Sequence, residues 1–294
     1  MLYYFLPGAG IFGGVKVACQ FVDLLGSLGI RAAVALPGAQ APQWFASRAA
    51  VLDDAEVLRR LDSSDWLMIT WPLDYQRLRD THARLVCHCQ GTDDRMDVIF
   101  ADPAVPILTC WEQAARYARE RFGREIIHVG IAISDCFYFD GCRKEDNLVA
   151  YMPRRGFPTV RECIRSNPDL DFLPLDGLAE VEVGRRLKRA GVFLATALGE
   201  QFGLPAVEAM AAGCVVLSVP VKGGMEYLRD GDNCLVVDPE EMPTRLCWIT
   251  RSENAILRAQ LRARALATAQ QYRLGCQRRR LADLLRGELR WLTS

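Results

Sequence analysis

Gly199-Glu200-Gln201-Phe202-Gly203-Leu204-Pro205-Ala206-Val207-Glu208-Ala209-Met210-Ala211-Ala212-Gly213 carries more structural information than any other part of the chain. It follows a short apolar run at 192–195, which reads as a strand. Pro205 falls at a helix start and Gly213 just past its end, so the two residues bracket a helix. Glu200 then lies in the loop before the helix, and Glu208 one turn inside it. The free N–H groups and positive dipole end of the helix point at whatever lies beyond the strand's carboxyl end. Two carboxylates beside an anion-attracting terminus suit a ligand that has both hydroxyls and phosphates. A nucleotide-sugar is such a ligand.

Outward from this segment, short apolar runs alternate with helical stretches, the pattern of an α/β fold with parallel strands. In the first half, strands are expected at 2–6, 32–36, 66–70, 84–88, 107–110 and 126–129, with helices at 15–28 and 111–122. A second series begins near Asn147, with strands at 148–151, 171–173, 192–195, 215–218 and 235–237. Its helices are expected at 159–165, 180–189, 205–212 and 240–249, and 252–291 reads as one or two Arg-rich helices. Residues 130–143 hold neither period and read as the linker.

The 294 residues suffice for two ordinary domains, and half of them are apolar, so each half can bury a core. Lys+Arg and Asp+Glu balance at 36 each, which gives no global argument for nucleic acid as a partner. The eleven cysteines follow no framework spacing, and the N-terminus has no basic lead. Reduced thiols in a cytoplasmic protein are the expectation. Cys87-His88-Cys89 invites a metal reading, but zinc sites favour two-residue spacers and no second ligand cluster lies nearby in sequence. No metal is expected.

The 199–213 segment resembles the glutamate signature of retaining glycosyltransferases of the GT-B fold, the large group called family 4. That family shows E-F-G-L-P and then E-A-M-A-x-G. This chain has Glu200-Gln201-Phe202-Gly203-Leu204-Pro205 and Glu208-Ala209-Met210-Ala211-Ala212-Gly213. Ile127-His128-Val129-Gly130-Ile131, with Phe137 downstream, is similar to the family's interdomain stretch. The resemblance implies two Rossmann-like, doubly wound domains facing a cleft. An acceptor-side domain is expected at 1–130, short for the family, and a donor domain at 131–275. A C-terminal helix at 276–294 is expected to pack back on the first domain. Resemblance is strongest over 145–240 and weak in the middle of the first half.

What the resemblance implies for individual residues follows from the chemistry of glycosyl transfer. The leaving diphosphate gains negative charge, and preorganised donors must meet it. The amides of Gly203 and Leu204, next to Phe202, are one source, since Pro205 donates nothing. Arg154 and Arg155, in Tyr151-Met152-Pro153-Arg154-Arg155-Gly156, match the family's Arg. No Lys follows them; Arg161 is the nearest substitute, and Arg can hold phosphate bidentately. Gly13 and Gly14, in Gly8-Ala9-Gly10-Ile11-Phe12-Gly13-Gly14-Val15, match the family's glycine loop near the donor phosphates and the acceptor. Glu200 would accept from donor-sugar hydroxyls and steady the oxocarbenium-like transition state, and Glu208 would accept from ribose hydroxyls. Gly223 and Gly224, in Val221-Lys222-Gly223-Gly224-Met225-Glu226-Tyr227, resemble the family's G-x-x-E loop, where turn and ligand contact are equal readings. Relatives place a His or Asp near the anomeric carbon; His88, Asp93 and Asp94 are the candidates, with His88 taken as the catalytic one.

The expected function is retaining, metal-independent transfer of a hexosyl or deoxyhexosyl group in cell-surface glycan or glycolipid assembly. The donor is a nucleoside-diphosphate sugar, used as substrate with no cofactor. The acceptor is a glycan, a lipid-linked molecule or a protein. The alternative is a non-catalytic nucleotide-sugar-binding subunit of a glycosyltransferase complex. A glycosidase using Glu200 and Glu208 is disfavoured, because it has no diphosphate to hold. The C-terminal arginines offer two readings: a solvated face packed on the first domain, or a peripheral contact with anionic lipid at the inner face of the membrane. Glu253, Asp283 and Glu288 dilute that charge and favour the first.

Overall fold

The computed structural model describes residues 1–292 and divides into two compact units. The first comprises Met1–Ala132 and the chain from Leu274 onward, and the second Ile133–Arg273.

Seven parallel strands form the sheet of the first unit: β1 (Leu2–Phe5), β2 (Ala32–Leu36), β3 (Val51–Asp53), β4 (Trp66–Ile69), β5 (Arg84–Cys89), β6 (Ile107–Thr109) and β7 (Ile127–His128). Their spatial order is β3-β2-β1-β4-β5-β6-β7. Tyr4 registers with Val34 on one side and Met68 on the other, at the centre of the sheet. Strands of a parallel sheet are covered on both faces, so β1 is buried at every residue and reads as an unbroken apolar run. The helices are α1 (Gly13–Ser27), α2 (Asp54–Arg59), α3 (Pro72–Leu78), α4 (Asp97–Phe100) and α5 (Glu112–Phe122). Asp53 caps α2 by accepting from the Glu56 amide at 3.0 Å, and Gly123, at φ 61°, ends α5 in the left-handed region.

The second unit holds five parallel strands, β8 (Glu145–Tyr151), β9 (Asp171–Pro174), β10 (Ala190–Ala195), β11 (Val215–Ser218) and β12 (Leu235–Val236), in the order β12-β11-β10-β8-β9. Its helices are α6 (Phe157–Ser166), α7 (Glu180–Arg189), α8 (Leu204–Ala211), α9 (Met242–Thr250) and α10 (Ala255–Ala269). The expectation of two Rossmann-like, doubly wound units therefore holds. The elements without a clear signal in sequence are β3, α2, α3 and α4. Each is short, and β3 has only three residues, all half-buried.

The last helix, α11 (Leu274–Arg286), belongs to the first unit. Leu281, Leu285 and Leu289 join Tyr4, Phe21 and Leu25 in one core cluster, and Trp291 packs at a tilt on Trp66 with ring centroids 4.2 Å apart. Gln277 donates to the Gly130 carbonyl at 2.8 Å, and Arg278 bonds the Ser27 hydroxyl at 3.1 Å. Of the expected 276–294 helix, residues 293 and 294 lie outside the described residues. Because Leu281 is fully buried, Leu281→Ala is expected to destabilise the first unit by about 2–5 kcal/mol. Calorimetry should show the first unit's transition falling while that of the second unit stays in place.

Candidate functional site

A doubly wound sheet binds ligands at the point where its connections diverge, outside the strand carboxyl ends. In the second unit that point lies between β8 and β10. The chain leaves β8 through α6 to β9 on one side, and leaves β10 through α8 to β11 on the other. The loops after β8 and β10 are therefore neighbours, and they touch closely. Gly156 sits at φ 72°, and a Cβ there would lie 2.0 Å from the Thr196 carbonyl oxygen. The Thr196 hydroxyl donates to the Arg155 carbonyl at 3.3 Å. Only glycine satisfies both the dihedral and the contact.

This contact brings two of the expected residues together. The Arg155 guanidinium donates to the Glu200 carboxylate at 2.8 Å, bridging the divergence point. Both side chains reach solvent. A guanidinium has five N–H donors, so Arg155 keeps others for a second anion. The neighbouring arginines point elsewhere: Arg154 pairs with Asp176 at 3.2 Å, and Arg161 lies 3.8 Å from Glu162 on its own helix.

Next to this pair is the mouth of α8. Gly203 caps it at φ 82°, and Pro205 occupies its first turn. Glu208 is 6% exposed, one turn inside. The mouth is held from below by Tyr227, whose hydroxyl lies 2.7 Å from the Gly203 carbonyl and 3.1 Å from that of Phe202. Burial, first, and then the charges of Tyr272, Cys234, Glu200 and Glu208 raise the Tyr227 hydroxyl's pKa well above the usual phenol range.

Gly223 and Gly224 are buried against the same loop. The Gly223 amide donates to Gln201, and that of Lys222 to Glu200 at 3.3 Å. A Cβ on Gly224 would lie 2.8 Å from the Phe202 carbonyl. The pair forms a tight turn, and Gly224 lets that turn pack against the Phe202 carbonyl.

In the first unit the connections diverge between β1 and β4. Gly13 and Gly14 open α1 above the end of β1. Exposed Ile11 and Phe12 lie on the β1 connection, and exposed Trp71 and Leu73 on that of β4. Asp93 holds Arg95 at 2.9 Å, and the Arg95 guanidinium lies 4.7 Å over the Trp71 ring. Asp94 pairs with Arg121 at 3.1 Å.

His88 does not fit the catalytic role expected of it. Both faces of β5 are covered, and the imidazole is fully buried, 4.7 Å from the Phe21 ring. Burial alone lowers its pKa to about 3. Its Nδ1 lies 2.9 Å from the Tyr4 hydroxyl and its Nε2 3.2 Å from the Cys110 sulfur. Gln90 extends the chain outward, with its Nε2 2.9 Å from the Tyr4 hydroxyl and 3.3 Å from the Gly14 carbonyl. A single ordering satisfies all four groups: Gln90 donates to Tyr4, Tyr4 to Nδ1, and Nε2–H to the thiol. Gln90 therefore fixes the glycine turn from below, and a Cβ on Gly14 would meet its Oε1 at 2.4 Å. Nothing in the sequence singled out Gln90 for this contact.

The C-terminal arginines have internal partners. Arg258 and Arg262 bond Asp146 at 3.2 and 3.3 Å, Arg264 pairs with Asp232, and Arg280 bonds His128 at 2.7 Å. Among the described residues, no helix is long and apolar enough to cross a membrane, and no three His, Cys, Asp or Glu side chains gather as a metal set.

Comparison with known proteins places this geometry. Residues 175–263, in the second unit, match the family model "Glycosyl transferases group 1". Sucrose-phosphate synthase from Thermosynechococcus elongatus superposes with a TM-score of 0.75 at 12% identity, over 98% of this chain and 99% of that one. HepE of Anabaena, in complex with UDP and glucose, gives 0.72 at 13% identity, over 97% and 99%. A curated sucrose synthase from Denitrovibrio acetiphilus is 32% identical over a region covering 35% of this chain. The match spans only 16% of that relative's length. The fold is that of these GT-B structures, and the group 1 glycosyltransferase likeness covers residues 175–263. The group 1 match lies in the unit that carries Glu200 and Glu208.

The buried His88 generates a pH dependence. Its folded pKa of about 3 lies below the ordinary 6.5, so the unfolded chain binds the extra proton between those values. Stability from this group is complete above about pH 6.5 and falls with acidification, by at most about 1.4 kcal/mol per pH unit. His88→Gln, whose amide can still accept from Tyr4, should flatten the first unit's melting temperature between pH 6.5 and 4; an unchanged slope would show that other groups set it.

Proposed function

We propose that this chain is a retaining glycosyltransferase that moves a sugar from a nucleoside-diphosphate sugar to an acceptor. The observation that carries the reading is the Arg155–Glu200 pair, which spans the divergence point of the second sheet beside the Gly203 helix mouth. HepE has been solved with UDP, UDP-glucose and glucose, which makes uridine nucleotides the first donors to test here.

In this reading the diphosphate lies against the mouth of α8, where the Gly203 and Leu204 amides and Arg155 meet its negative charge. Bond breaking leaves positive charge on the sugar and negative charge on the departing phosphate oxygen. In this reading Arg155 and the helix mouth, held in place by Glu200 and Tyr227, meet the second with little reorganisation. Glu200, oriented by Arg155, accepts from sugar hydroxyls and lies near the developing positive charge. Glu208 accepts from the ribose. Charge neutralisation is assigned to these protein groups rather than to a metal. Arg154 lies toward Asp176 and Arg161 toward Glu162, so Arg155, whose partner Glu200 adjoins the helix mouth, is the main cation of the clasp. On the acceptor side, Gly13 and Gly14 stand with Ile11, Phe12, Trp71 and Leu73 at the divergence point of the first sheet. That surface suits an acceptor with a ring or apolar face, as in glycan or glycolipid assembly. With His88 buried, the chemistry falls to the second unit's carboxylates and to the donor phosphate.

A thermal-shift panel of UDP-, GDP-, ADP- and dTDP-sugars should identify at least one stabilising donor, and transfer or slow hydrolysis should follow with it. Arg155→Ala is expected to lower turnover by about 100- to 1,000-fold. Glu208→Gln should act mainly on nucleotide affinity, because a hydrogen bond to a charged group contributes about 1.5–3 kcal/mol. Tight donor binding with no sugar released, and Glu200→Ala altering affinity alone, would point instead to a non-catalytic binding subunit. No stabilisation by any donor would remove the reading.

A further inference from the structure

Three aromatic rings meet behind the α8 mouth. Phe202 lies 5.1 Å from Tyr227 and 5.8 Å from Tyr272, and Tyr227 and Tyr272 are 5.8 Å apart. Two of the three contacts are edge-to-face, a favourable arrangement for aromatic pairs. Tyr227 is buried and bonded to the mouth itself, so its place there is direct. Tyr272 comes from far along the chain, in the turn after α10, one residue before the chain leaves the second unit. Its carbonyl accepts the Ile133 amide at 2.9 Å, and Ile133 pairs with Arg273 as an isolated parallel bridge. Ile133 is the residue at which the chain enters the unit, and Arg273 the one at which it leaves. Arg273 in turn lies 3.7 Å over the Tyr138 ring, and the Tyr138 hydroxyl donates to Ala269 at 3.0 Å. Burial first, then the Glu226 charge, raises the Tyr272 hydroxyl to about 12, so it stays a neutral ring across the ordinary pH range.

We propose that Tyr272 is a positioning residue for the nucleotide-sugar site: its ring, packed on Phe202 and Tyr227, ties the Phe202–Gly203 turn to the bridged residues, Ile133 and Arg273, at which the chain enters and leaves the second unit. The proposal rests on the functional reading above and adds to it a residue outside the 199–213 segment. Phe202 carries the carbonyl that Tyr227 binds, and Gly203 sits at φ 82°, which glycine adopts without strain, so the place of the turn depends on the groups packed against it. The segment ahead of it, Gly199–Gln201, has no regular structure and is held by the Lys222 and Gly223 amides and by Arg155; the ring contacts add a hold at Phe202. Tyr272 touches neither the donor nor the reacting atoms. It acts through Phe202.

The test compares Tyr272→Leu with Tyr272→Phe and with Leu261→Ala, which empties the same unit's core away from the triad. Binding of UDP, GDP, ADP and dTDP is measured by calorimetry, and hydrogen exchange follows the 203–207 amides, those of Gly203, Leu204, Ala206 and Val207, in nucleotide-free protein. Tyr272→Leu should bind the best nucleotide about tenfold more weakly, a difference of about 1.4 kcal/mol, and its 203–207 amides should exchange faster. Tyr272→Phe should restore both properties. Leu261→Ala, though less stable, should keep the wild-type affinity. Equal affinity and exchange in wild type and Tyr272→Leu would overturn the proposal, as would an equal loss in Leu261→Ala. If wild type binds none of the four nucleotides, the functional reading falls first and takes this inference with it. Should Tyr272→Leu fail to fold, Phe202→Leu replaces it, with the same predicted loss and the same overturning result.

Discussion

The contact between Gly156 and the Thr196 carbonyl sets the geometry on which the second unit's site depends. It presses the loop after β8 against the loop after β10 at the place where the sheet's connections part. Without a side chain at 156, Arg155 can reach across to Glu200, and the loop from Glu200 can descend into α8 with Gly203 at its mouth. A larger residue would have to displace backbone, which has no flexible end to yield. The pair of opposite charges and the helix mouth are thus products of one steric permission.

The first unit solves a similar problem with polar groups. Its glycine turn is held by Gln90, which is held by Tyr4, which is held by His88 on a central strand. Every member of this chain is satisfied, and His88 stays neutral because burial disfavours its charge. Such a network orders a loop from inside the protein. The same layout explains why a histidine that looked chemical in sequence is structural in space. In a parallel sheet flanked by helices on both faces, a side chain pointing either way from β5 enters a core.

The C-terminal segment shows how one helix can belong to a unit formed mostly by the other end of the chain. The leucines of α11 complete the cluster around β1 and α1, and several arginines along α10 and α11 bond carbonyls, carboxylates or His128. Those arginines therefore make intramolecular contacts. Tyr272, at the turn between the two units' chains, sits where the second unit begins and ends.

The sequence alone determined the alternation of strand and helix, the two-fold repetition of that pattern, and the helix opened by Gly203 and Pro205. These features are local: apolar runs, a proline and glycines act through their own backbone, and their spacing is visible in one dimension. The pairing of Arg155 with Glu200 was half legible, since both residues were named but their distance was not. Only the tertiary structure decided that Arg154 and Arg161 turn to Asp176 and Glu162, and that His88 faces a core. It also decided that Tyr227, Gln90 and Tyr272 support the two loops. Those outcomes depend on which strands become neighbours and on what lies across them, and residues 45 or 70 positions apart meet only after the sheet has chosen its order.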